Sequence, residues 1–96
     1  MAGFKVIRDY LYERDVRESG KDGVTFDSIK GKEVDYQGGK TRVKVYDGDG
    51  ILYYEAMCDG DDGAERFHDW ASYDSGTTSS KIKDESTNNK WMDFIG

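Results

Sequence analysis

Residues 41–58 constrain this chain most. Thr41-Arg42-Val43-Lys44-Val45-Tyr46 alternates polar and apolar side chains, the period of a strand with one face in a core and the other in water. Asp47-Gly48-Asp49-Gly50 follows, and Ile51-Leu52-Tyr53-Tyr54-Glu55-Ala56-Met57-Cys58 resumes an apolar run. Asp-Gly supplies the positive φ angles that tight hairpin turns require, so the segment predicts a β-hairpin. The second run is apolar on both faces around residues 52–54, which places it inside a sheet rather than at an edge.

The rest of the chain must complete that sheet. Ninety-six residues fit one domain spanning 1–96, and a fold of this size buries roughly 60–65% of the surface its unfolded chain exposes. Hydrophobic and charged residues each make up 35%, close to the composition of disordered chains. The 14% of aromatic residues argues for folding, because tyrosine and tryptophan bury large areas while keeping a polar atom near water. There is no proline, so turns rest on glycine, aspartate and asparagine.

Residues 4–18 fit two patterns. Phe4, Ile7 and Leu11 recur at helical spacing, with opposite charges four apart at Lys5/Asp9, Glu13/Arg17 and Arg14/Glu18. Phe4, Val6, Tyr10 and Tyr12 also share one face of a strand, broken by Arg8. No capping residue precedes the segment, and its tyrosine and β-branched content favours the strand. Residues 19–23 break the chain, residues 24–29 read as a short strand, and Val34 and Tyr36 alternate weakly between glycines. Asp62 is placed to cap a short helix over residues 64–72, with Phe67, Trp70 and Ala71 on one side. Residues 80–83 and 90–95 read as two further strands. The expected fold is α+β: a mostly antiparallel sheet built from hairpins, with one short helix packed on it. Val43, Val45, Leu52, Tyr54, Phe67, Trp70, Ile82, Met92 and Phe94 are the expected core.

The residues for several chemistries are missing. Counted from Asp47 or from Asp59, the fifth position of a calcium-binding EF-hand loop falls on Ile51 or Gly63, and neither supplies a ligand. One cysteine and one histidine cannot close a zinc site. Cys58 stands at the end of a predicted strand with no activating signature and reads as a buried or half-buried structural residue. His68 reads as an ordinary surface residue, in preference to one whose pKa Asp69 or the acidic surroundings raise. No phosphate-binding glycine loop and no nucleophile elbow occurs. The expected protein is not an enzyme and carries no cofactor and no metal. The first residues lack the apolar core of a signal peptide, and no apolar run approaches the ~18 residues of a membrane span. A single cysteine points to a reducing cytoplasm.

Charge supplies the functional expectation. Residues 47–75 carry nine acids against Arg66 alone, whereas residues 1–46 hold ten basic and eight acidic groups. The whole net charge of −6 therefore arises in one stretch, which favours a cationic partner and repels nucleic acid and anionic membranes. The basic residues of the first half alternate with acids, as on a solvated surface rather than a phosphate-binding stripe. Asp47, Asp49, Asp59, Asp61, Asp62, Glu65 and Asp69 are the candidate partner-binding acids, with Tyr46, Tyr53 and Trp70 as aromatic anchors. Gathered at one end of the fold, such carboxylates imitate the phosphates of DNA. In size and charge the chain resembles phage-encoded inhibitors of CRISPR or restriction enzymes. That resemblance implies a partner with a basic, nucleic-acid-binding groove and assigns no residue roles. The alternative is a virion, tail or complex subunit that self-associates through an edge such as residues 91–95.

Overall fold

The structure, a computed structural model, describes residues 2–19 and 28–96. Its strands are β1 (Phe4–Asp9), β2 (Glu33–Val34), β3 (Thr41–Tyr46), β4 (Leu52–Cys58), β5 (Ser79–Lys83) and β6 (Met92–Ile95). They form one antiparallel sheet in the order β2-β1-β4-β3-β5-β6. Two helices, α1 (Tyr10–Ser19) and α2 (Gly60–Ser75), and a 3-10 turn at Glu85–Thr87 complete the described elements. The fold is the expected α+β class. The β3–β4 hairpin forms as the Asp-Gly chemistry predicts, and β4 is interior, between β1 and β3.

Two expectations about helices need correction. Residues 4–18 are neither one strand nor one helix but a strand that turns into α1. The missing capping residue is Asp9, inside the segment. Its carboxylate accepts the Tyr12 backbone N–H at 2.9 Å and so starts the helix one residue later. Asp9 is only 2% exposed, and its other oxygen accepts the Ile29 N–H at 2.9 Å. Before it, a bulge between Val6 and Arg8 resets the register, which keeps Asp9 facing inward and turns Arg8 outward. The second helix, α2, has 16 residues instead of the nine foreseen, and Asp62 lies within its first turn. The strand expected at residues 24–29 falls mostly outside the described residues.

The core lies between α2 and one face of the sheet. Val43 and Val45 of β3, Tyr54, Ala56 and Cys58 of β4, Phe4 and Val6 of β1 and Ile82 of β5 point inward. Ala64, Phe67 and Ala71 of α2 cover them. Phe67 lies 5.1 Å from Phe4 between ring centroids, and Trp70 lies 5.4 Å from Phe4. Leu52 is half-buried, and Trp70 and Phe94 are half-buried against this cluster. Met92 is 53% exposed, contrary to expectation, because it sits on the outermost strand.

Candidate functional site

The acidic residues do not gather at one end. Asp47 and Asp49 occupy the β3–β4 turn, and Asp59, Asp61 and Asp62 follow the far end of β4. At ~3.3 Å per residue, β4 and its flanks set these groups on the order of 25 Å apart.

Two of the candidate carboxylates serve the backbone. Asp47 accepts the N–H groups of Ile51 and Asp49, each at 2.9 Å, and the bond from Ile51 chiefly holds its carboxyl below the usual range. Asp59 accepts three N–H groups: Gly3 at 2.9 Å, Gln37 at 2.7 Å and Gly39 at 2.7 Å. Desolvation pushes its carboxyl upward, but these bonds outweigh it and the net shift is downward. The Asp59 N–H also donates to the Gly3 carbonyl at 2.9 Å. Asp59 thus ties the start of β1, the strand entry before β3 and the start of α2 together. Chains meet so closely here that a Cβ on Gly3 or Gly39 would overlap neighbouring backbone.

Apart from Asp49, which stays in the β3–β4 turn, the remaining candidate acids form a ridge. Asp61, Asp62, Glu65 and Asp69 are exposed along α2, and Tyr73, 97% exposed, continues the same side. Positions 61, 65, 69 and 73 are each four apart, so they stack on one helical face. Asp61 and Asp62 complement the positive N-terminal pole of the helix. Its last turn holds no basic residue. Arg66 reaches away from the ridge to Asp35 at 2.9 Å and to the Ala2 carbonyl at 3.2 Å. The aromatic candidates lie elsewhere. Trp70 packs against Phe4, Tyr54 and Phe67, Tyr53 meets the edge of Tyr54, and Tyr46 lies on the sheet face away from α2.

His68 is not a surface residue. It is 7% exposed, and its Nδ1 lies 3.0 Å from Ser80 Oγ. Burial pushes its pKa down, against a smaller opposing effect of Asp69. Cys58 is fully buried, as expected, and desolvation pushes its thiol well above the usual range.

The sheet face turned away from α2 carries a feature hidden by reading charges in sequence order. Alternation sends Arg42, Lys44 and Tyr46 of β3 outward while Val43 and Val45 go in. On neighbouring β5, Lys83 stands directly across from Arg42, and Lys81 across from Lys44. The Lys44 ammonium sits 4.3 Å from the Trp91 ring centroid, that of Lys83 5.5 Å from the same ring, and that of Lys81 6.0 Å from Tyr46. Sequence reasoning had the signal, since both segments alternate, but lacked the pairing of β3 with β5. The intermixing expected of the basic residues in the first half thins out on this face, where Arg42, Lys44, Lys81 and Lys83 stand with only Glu55 across from Lys44 and Asp93 across from Lys81.

Among the described residues no group of three or more His, Cys, Asp or Glu is placed to hold a metal ion. Among them, too, no helix is long and apolar enough to cross a membrane. Comparison with protein-family models, with curated proteins and with solved structures finds no match.

Proposed function

We propose that the protein is a non-enzymatic interaction module of the cytoplasm, whose acidic α2 ridge docks into the basic groove of a nucleic-acid-binding protein as a DNA mimic. The observation that carries this is the exposed ridge of Asp61, Asp62, Glu65 and Asp69. At 1.5 Å per residue these four carboxylates span about 12 Å, or about one charge per 4 Å. A single DNA strand presents one phosphate per ~3.4 Å of axis. The like charges at 61/65 and 65/69 each cost the helix about 0.2–0.5 kcal/mol. Tyr73 at the end of the ridge adds an exposed aromatic anchor.

The test is capture of a partner from bacterial lysate at low and high salt. The unaltered chain is compared with Asp61→Lys, Asp62→Lys, Glu65→Lys and Asp69→Lys combined, leaving Asp59 in place. A nucleic-acid-binding protein held only at low salt and lost with the reversed ridge is the expected result. Undiminished capture by the reversed chain refutes the reading.

A second reading draws on β6. It closes one side of the sheet, and Met92 is half-exposed on it. A sheet edge of this kind can add a strand from a second copy, which is how an assembly subunit would use it.

A further inference from the structure

We infer that the open face of β3 and β5 binds single-stranded nucleic acid, with phosphates on Arg42, Lys44, Lys81 and Lys83 and bases against Trp91 and Tyr46. This surface is distinct from the α2 ridge and does not depend on the reading above.

Like charges placed directly across a sheet repel each other. Here two such pairs stand side by side, Arg42 with Lys83 and Lys44 with Lys81. Arg42 lies 3.9 Å from Glu55, a long contact, and among the described residues no carboxylate lies within ion-pair distance of the three lysines. The nearest exposed acid by register is Asp93, across from Lys81 on β6. Glu55, buried across from Lys44 on β4, and Asp93 offset part of this charge, so four cations stand with two carboxylates and the face stays net cationic.

The aromatic rings decide which polyanion fits. Trp91 is half-buried beside Lys44 and Lys83, and Tyr46 lies beside Lys81. A sheet presenting cations and rings together offers phosphates a charge and unpaired bases a stacking surface. A duplex keeps its bases stacked inside and cannot use the rings. A convex acidic helix, such as the α2 of another copy, would meet the cations alone.

The overall charge of −6 does not forbid this. The acidic ridge lies beyond the core, on the opposite side of a molecule whose smallest extent is 23 Å. The screening length in physiological salt is only ~8 Å, so the ridge acts weakly on this face.

The experiment is fluorescence anisotropy with a labelled oligothymidine or oligouridine of about 20 nucleotides and a duplex of equal length, the length exceeding the ~4–16 nucleotides that such platforms occupy. With four phosphates neutralised, the expected log–log salt slope is about −2.8, or roughly 50-fold weaker binding at 200 mM than at 50 mM salt. Lys44→Glu with Lys81→Glu should abolish binding. Trp91→Ala should weaken it roughly 5- to 150-fold, with Trp91→Phe restoring part. Asp93→Asn removes the neighbouring acid and should tighten binding, an effect that misfolding cannot produce. No binding of single strands at 50 mM salt, duplex binding as tight as single-strand binding, or indifference to the Lys44/Lys81 reversal would each overturn the inference. So would salt-sensitive self-association, seen by sedimentation and lost in the Lys81→Glu variant, with no oligonucleotide bound.

Discussion

Replacing Asp59 with alanine should destabilise the junction from which the acidic stretch is presented. The carboxylate accepts three backbone N–H groups, from Gly3, Gln37 and Gly39. The Gln37 group is exposed and turns to water when the acceptor goes, so its loss counts for little. The Gly3 and Gly39 groups are partly buried, and a hydrogen bond to a charged acceptor contributes about 1.5–3 kcal/mol. Taking the lower figure for both because of partial exposure, Asp59→Ala costs about 3 kcal/mol. A domain of this size holds roughly 5–15 kcal/mol in all. The melting temperature should fall by roughly 12–24 °C.

Asp61→Ala is the matched control. Asp61 is exposed in the first turn of α2 and contributes to the helix pole alone, at most about 1 kcal/mol. Urea unfolding followed by tryptophan fluorescence measures both, with an unchanged slope showing that the two states are the same in each variant. The pH dependence adds a second check. Asp59 has a folded pKa below its ordinary 3.8. Its contribution is therefore complete above that value and is lost as pH falls through the lower, folded one. The gap between wild type and Asp59→Ala should narrow below about pH 4. If Asp59→Ala costs no more than Asp61→Ala at neutral pH, the three-way clamp is not what joins these segments.

Two further outcomes follow from buried and edge residues. His68 carries a folded pKa below its ordinary 6.5, so beneath that pH the unfolded chain takes up a proton that the folded chain resists. Stability should decline between pH 7 and 5.5, and a His68→Leu, Ser80→Ala double variant, which leaves no orphaned hydroxyl, should lack that decline in urea titrations. If self-association runs through β6, Met92→Asp should weaken it in sedimentation experiments at any salt concentration. Phe94→Ala would be a poorer probe, since Phe94 packs on the core and its loss destabilises the fold itself.

What the sequence disclosed depended on how far each signal reaches along the chain. The hairpin was legible because Asp-Gly and two alternating runs lie side by side. The start of α1 was not, because Asp9 reads as one more charge until a bulge at Ile7 turns it inward and leaves it facing the Tyr12 N–H. His68 looked exposed for the same reason. Its neighbours Asp69 and Glu65 face water, but its own position falls on the helix side that meets Ser80 of β5.

Charge shows the limit most sharply. A count by segment assigns −8 to residues 47–75 and makes Asp47 and Asp59 part of an interaction face. The fold gives both carboxylates to backbone N–H groups at opposite ends of β4 and leaves the exposed charge to α2. It also brings Arg42 and Lys44 beside Lys83 and Lys81. Strand pairing across some forty residues collects them on one surface. Charge that reads as two mixed halves and one acidic block therefore becomes an acidic helix on one side and a cationic, aromatic sheet on the other. A variant set confined to either side, with Asp59 untouched, separates their roles without disturbing the junction that holds both in place.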